Sequence, residues 1–182
     1  MKYKISTTKK VILSALLLAT FIILDRLLTI NMQFLAINLS LIPIMLAGMI
    51  LGSKQAIIIG ALGDLIGAIF WPFGAYFPGF TISLALSGLI YGIFLYKNPN
   101  KEKKNFIIKA IISNLLVLVL INLILNSLWL KIMYGQAFVY YISVRAITQI
   151  VLFPIYTISI ILLEKSLRNR IKKYLYEEKE EE

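Results

Sequence analysis

A lone carboxylate in an apolar stretch is the first chemical signal in this chain. Asp64 lies within Gly60-Ala-Leu-Gly-Asp-Leu-Ile-Gly67. A charge in hydrocarbon is costly, so Asp64 needs a partner, a cavity or a ligand. Directly after it runs Trp71-Pro72-Phe73-Gly74-Ala75-Tyr76-Phe77-Pro78-Gly79-Phe80, in which five of ten residues are aromatic. A Pro-bracketed aromatic loop of this kind suits a flat ring, although Trp and Tyr also gather at membrane boundaries as an interfacial belt. Further along, Arg145, Gln149 and Tyr156 fall within about 40° of one another at helical spacing. One helix therefore carries a cation, an amide and a phenol on a single stripe. Asn114, Asn122 and Asn126 spread over about a third of a helix circumference. Interhelical hydrogen bonding accounts for Asn114, whereas Asn126 and Gln149 stand near cations and are ligand candidates.

The elements that must position these groups are membrane spans. Of the 182 residues, 59% are hydrophobic and 15% charged, with mean hydropathy +0.84. That is the composition of a membrane protein. Neither His nor Cys occurs, which removes disulfides, thiolate nucleophiles and His-based metal sites. Neither a metal nor a cofactor is expected. Six apolar runs read as spans, at about 10–30, 34–51, 54–71, 79–96, 106–133 and 139–165, with turn chemistry between them. The fold class is an all-α membrane protein, a six-transmembrane-helix bundle with both termini cytoplasmic. Residues 1–182 form a single membrane domain, and 166–182 a charged cytoplasmic tail. The first run is a retained span rather than a signal peptide.

Sixteen of the nineteen Lys and Arg residues fall on the side of the termini, which makes that side cytoplasmic. The net charge of +10 follows this topology and does not call for nucleic acid. Arg26, Lys131 and Arg145 run against the rule at the outer ends of spans one, five and six. Snorkelling explains Lys131 as well as ligand attraction does, while Arg26 and Arg145 lie deeper and read as functional.

Nine of the ten glycines lie between Gly48 and Gly92, with four-residue spacing in Gly48/Gly52, Gly63/Gly67 and Gly88/Gly92. Ala15 and Ala19 repeat that spacing in span one. Small residues so spaced let another backbone approach closely, mostly within the bundle; Ala15 and Ala19 would also make a flat docking patch. Gly48-Met-Ile-Leu-Gly52-Ser53-Lys54 has the wrong spacing for a phosphate-binding loop. Asp25 and Asp64 are the acids well inside the spans, too few for a metal-dependent lipid transferase. Binding and passage of a ligand fit better than chemistry on it, so no enzyme is expected.

The chain resembles the substrate-binding (S) components of energy-coupling factor (ECF) type ABC transporters, and among them the folate-specific group. The resemblance rests on Gly63-Asp64-Leu65-Ile66-Gly67, Phe73 to Thr81, Ser87 to Gly92, and Leu125-Asn126-Ser127-Leu128-Trp129-Leu130. Tyr134-Gly135, Ala137-Phe138, Arg145 and Pro154 extend it, so that it covers about residues 10–165. It implies capture of folate outside the cell and delivery inward, at the cell (plasma) membrane, by a multi-pass protein. The implied partners are an ECF module of one transmembrane scaffold protein and two ATPases, and the lipid bilayer. Ala15 and Ala19 match the scaffold-docking motif of the family. Members of the folate group often carry a basic residue where this chain has Gln149.

Folate has a flat pterin and a dianionic tail. Arg26, Asp64, Tyr76, Phe77, Asn126, Trp129, Lys131, Arg145 and Gln149 are therefore the candidate substrate-binding residues. An aromatic loop suits the pterin face, amide and carboxylate groups its edge, and a guanidinium the tail. The rival ligands are thiamine and a queuosine precursor, and the rival class is an independent secondary transporter. Internal repeats, which that class usually shows, are not evident here.

Overall fold

A computed structural model describes residues 3–32, 35–37, 39–72, 74–96, 106–135 and 137–178. Phe73, Gln136, the charged loop expected around Lys97 to Lys104 and the tail beyond Glu178 lie outside the described residues. Helices dominate: α1 (Thr7–Ile22), α2 (Leu41–Ile50), α3 (Ser53–Phe70), α4 (Pro78–Leu95), α5 (Phe106–Leu116), α6 (Asn126–Tyr134) and α7 (Phe138–Leu175). Two stretches wind as π-helix. One continues α1 over Ile23–Leu27, and the other joins α5 to α6 over Val117–Leu125. Joined through these stretches, the helices make six rods. The rods Ser53–Phe70, Pro78–Leu95, Phe106–Tyr134 and Phe138–Ser166 are long and apolar enough to cross a membrane.

The second expected span differs. Residues 34–51 were expected as one helix, yet helix begins only at Leu41 and runs ten residues. At 1.5 Å per residue that is about 15 Å, half of a bilayer core. The preceding residues instead pair as two short antiparallel strands, β2 (Ile30–Met32) and β3 (Leu35–Ile37). A second ladder joins β1 (Tyr3–Ile5) to β4 (Tyr176–Glu178), with Tyr3 opposite Glu178. Residues Tyr3–Ile5 and Tyr176–Glu178, far apart in sequence, therefore lie side by side. The strands were not expected: β3 takes the start of the expected second span and β2 the last residue of the first, while β1 and β4 lie outside the expected spans.

Glycine sets the interhelical spacing. A Cβ on Gly60 would stand 2.6 Å from the Leu84 carbonyl oxygen, so α3 and α4 touch backbone to backbone. Gly88 faces the Ala56 carbonyl and Gly92 faces Ser53, extending the same seam. On α2, a Cβ on Gly48 would meet the Gly92 nitrogen at 2.8 Å. Gly63 and Gly67 open α3 to Phe21 and Arg26 of the first rod. Gly52, at φ 90°, turns the chain between α2 and α3 in a conformation that glycine adopts without strain.

Phe21, Ile44, Met45, Ile59, Tyr91 and Tyr156 form the centre of the core. Outward faces stay apolar, as at Val11, Ile12, Ile69, Val139 and Ile150, which suits contact with lipid rather than water. The 38 residues of α7 would extend about 57 Å, well past a bilayer core.

Candidate functional site

The first π segment ends the α1 rod and carries Asp25 and Arg26. The Thr29 hydroxyl closes the segment by donating to the Asp25 carbonyl at 2.5 Å, with the Leu24 carbonyl 3.1 Å away. Arg26 projects into the notch at Gly67, where any side chain would collide with its guanidinium. There Nη2 of Arg26 donates to Oδ1 of Asp64 at 3.0 Å, while Nε lies 3.1 Å from Oδ2 of Asp25. Ser40, just ahead of α2, hydrogen-bonds the Asp25 carboxylate. One guanidinium thus sits between two carboxylates, and its charge is matched inside the protein. Adjacent residues do not face each other on an α-helix. Here Asp25 and Arg26 do meet, on a π segment.

Asp64 is taken up on both oxygens. Thr81, in the first turn of α4, donates to Oδ2 at 2.6 Å. The Tyr76 phenol lies 2.9 Å from the Thr81 hydroxyl. Both partners reach it because a short loop folds α4 back along α3. Asp64 stands six residues before the end of α3 and Thr81 three residues into α4, so the two lie at similar depth.

The aromatic loop delivers Phe77 to Trp129 of α6, with ring centroids 5.6 Å apart at 49°. Phe80 meets Phe77 edge-on at 6.3 Å. The indole N–H of Trp129 donates to Ser83 at 3.1 Å, anchoring α6 on α4. Gly79 makes room for the pair, since a Cβ there would lie 2.5 Å from the Phe77 ring and 2.6 Å from Trp129. Trp71 and Tyr76 are exposed, as a boundary belt or a ring-covering loop would be.

The third group gathers where the second π segment meets α7. Arg145 is partly buried, and its Nε donates to the Asn122 carbonyl at 2.9 Å. Among the described residues no carboxylate pairs with Arg145, in contrast to Arg26. Asn122 also accepts from the Asn126 amide at 3.2 Å. On α6 and α7, Asn126 Oδ1, Ser127 Oγ, Thr148 Oγ1 and Gln149 Oε1 are buried and have no hydrogen-bond partner among the described residues. Buried polar groups normally have partners. A cation with no described acid beside it, on a helix that also carries Thr148 and Gln149, has the chemistry to accept an anionic, hydrogen-bonding group.

The structure links most of the residues singled out in the sequence. Arg26, Asp64 and Tyr76 lie in one network, and α4 connects it to Phe77 and Trp129. Asn126, Arg145 and Gln149 fall in the α6–α7 region. Lys131 stands apart, exposed on α6, with no described residue paired to it. Tyr156 shares the Arg145 stripe but is buried deep in the core. Asn114 joins α4 and α7: it accepts from the Tyr91 phenol and donates to Phe153 and Thr157. Ala15 and Ala19 are exposed on α1.

Thr81, Ser40, Ser127 and Thr148 were not among the expected site residues. Hydroxyl residues are frequent in apolar helices and carry no spacing signature. Thr81 alone had a signal, its position opposite Asp64 across a short loop.

Comparison with known proteins gives the family of the chain. Residues 4–170 match the family described as ECF-type riboflavin transporter, S component. A folate transporter FolT of Clostridium novyi is 35% identical over 146 residues, covering 80% of this chain and 82% of that protein. A folate transporter FolT of Leuconostoc mesenteroides subsp. mesenteroides is 31% identical over 175 residues, covering 93% and 92%. A crystal structure of FolT bound with folic acid superposes with TM-score 0.79 at 37% identity, over 87% of this chain and 94% of that one. A biotin S component superposes with TM-score 0.67 at 24% identity, a likeness of fold. The chain is a multi-pass membrane protein and belongs to the S-component family of ECF-type transporters.

Proposed function

We propose that this chain captures folate outside the cell and delivers it inward as the S component of an ATP-driven uptake system in the cell membrane. The carrying observation is Arg145, a partly buried cation for which no described residue supplies an acid. A ligand carboxylate completes it. That requirement sets folate, which brings two carboxylates, apart from riboflavin, which has no ionised group, and from thiamine, which is a cation. The relatives named folate transporters support the same choice.

In this reading Arg145 forks onto one carboxylate of the glutamate tail, and exposed Lys131 attracts the tail from outside. The Phe77–Trp129 pair packs against the pterin. The unpartnered amide oxygens of Asn126 and Gln149 accept hydrogen bonds from its edge. Arg26 and Asp64 shape the wall from their own ion pair.

The termini face the cytoplasm, where the basic residues gather. The partners are one transmembrane scaffold protein and two ATPases, which supply the hydrolysis that this chain does not perform. Exposed Ala15 and Ala19 form the flat patch on which the scaffold docks.

The test is a titration of purified protein in detergent, following Trp129 and Trp71 fluorescence. Saturable quenching by folate, absent with riboflavin and thiamine, is the expected result. A folded sample that answers riboflavin and ignores folate would refute the reading.

A further inference from the structure

We propose that Thr81 is a positioning residue: its hydroxyl ties the aromatic loop to the Arg26–Asp64 ion pair and so holds the loop over the ligand. The inference rests on the folate reading only for its ligand.

A threonine hydroxyl has one proton to give. Thr81 gives it to Oδ2 of Asp64 at 2.6 Å. The Tyr76 phenol, 2.9 Å away, must then be the donor to Thr81. The relay therefore has a fixed direction, from Tyr76 through Thr81 to Asp64, with Arg26 holding the other carboxylate oxygen at 3.0 Å. Four segments meet in it: the first π segment, α3, the loop and α4. Among the described loop residues 74–77, the Tyr76 phenol makes the one side-chain hydrogen bond. Tyr76 is 49% exposed, so packing does little to hold it. The loop leads directly into Phe77, half of the aromatic pair with Trp129. Where the loop rests is accordingly decided by whether Thr81 can accept.

The chain has no cysteine, so Ala75→Cys gives a single site for a nitroxide label on an exposed loop residue. Label mobility is read without ligand, and folate release by stopped-flow fluorescence. Thr81→Val, which keeps the shape and removes the hydroxyl, should mobilise the label and speed release about tenfold. Thr81→Ser should restore both. Tyr76→Phe leaves Asp64 and Arg26 untouched and should reproduce the mobile label without lowering thermal stability. It also carries the test if Thr81→Val fails to fold. An unchanged label in Tyr76→Phe overturns the proposal, as does one in folded Thr81→Val. If the labelled parent ignores folate, the folate reading fails, while label mobility still decides the role of Thr81.

Discussion

Replacing Arg145 with Met separates a ligand-binding cation from a structural one. In the protein alone, Arg145 makes one hydrogen bond, to the Asn122 carbonyl, and no described acid faces it. Such a bond contributes about 1.5–3 kcal/mol. Relief of a poorly compensated cation in an apolar bundle opposes that loss and is of similar size. The ligand-free variant should therefore melt within a few degrees of the parent. Folate binding should suffer far more. Truncating one partner of a hydrogen-bonded charge pair costs about 2–5 kcal/mol when the pair is desolvated. Arg145 is only partly buried, so the lower part of that range applies, about 2–3 kcal/mol. At 1.4 kcal/mol per decade, affinity should fall roughly 30- to 150-fold. Fluorescence titration and thermal unfolding of the same samples give both numbers. Unchanged affinity would remove Arg145 from the site, and a collapse in stability with normal affinity would make it a structural residue.

The opposite signature is expected at Arg26: Arg26→Met leaves Asp25 and Asp64 without their shared guanidinium and should cost about 3–5 kcal/mol of stability, seen in ligand-free unfolding. Gly88→Ala pushes a methyl against the Ala56 carbonyl and should cost about 1–3 kcal/mol, because backbone cannot step aside; a variant as stable as the parent would refute the backbone seam. Asn114→Ala removes the acceptor of the Tyr91 phenol and the donor to Phe153 and Thr157, and should cost about 1–3 kcal/mol in the same assay. Ala15→Leu with Ala19→Leu changes only an exposed face and should leave folate affinity intact while uptake by cells bearing the partner module falls; loss of affinity would place these residues in the site instead.

The glycine spacing announced close helix approach, and the structure puts a backbone or a large side chain at each such position. Which helix approaches was not legible. Gly63 and Gly67, alike in sequence to Gly88, receive Phe21 and Arg26 rather than another backbone. Residues 34–51 read as a span because a continuous apolar run looks the same as strand or helix. Hydrogen bonding decided between them, and strands took Ile30–Met32 and Leu35–Ile37. Both π segments were also invisible, since apolar periodicity at 3.6 residues hardly differs from a slightly wider turn over five or nine residues. They carry Arg26 and Asn122, so the least legible backbone lies under the two cation sites.

Arg26 and Arg145 look equivalent in sequence, each a cation near the outer end of a span. Their surroundings make them different. A charge among apolar helices is tolerated when it is paired, and the pairing can be permanent or deferred. Arg26 has its carboxylates built in, from its own segment and from α3. Those contacts lock the π segment to α3 and leave no positive charge to offer a ligand. Arg145 is given a carbonyl, which satisfies geometry without neutralising charge. A protein that must hold an anion tightly and later release it gains from such deferred pairing, because the ligand brings the larger part of the electrostatic stabilisation with it. The unpartnered amides and hydroxyls beside Arg145 follow the same logic, and they would be a defect in a bundle built for stability alone. In the folate reading it is therefore Arg145, and not the internally paired Arg26, that meets the ligand anion.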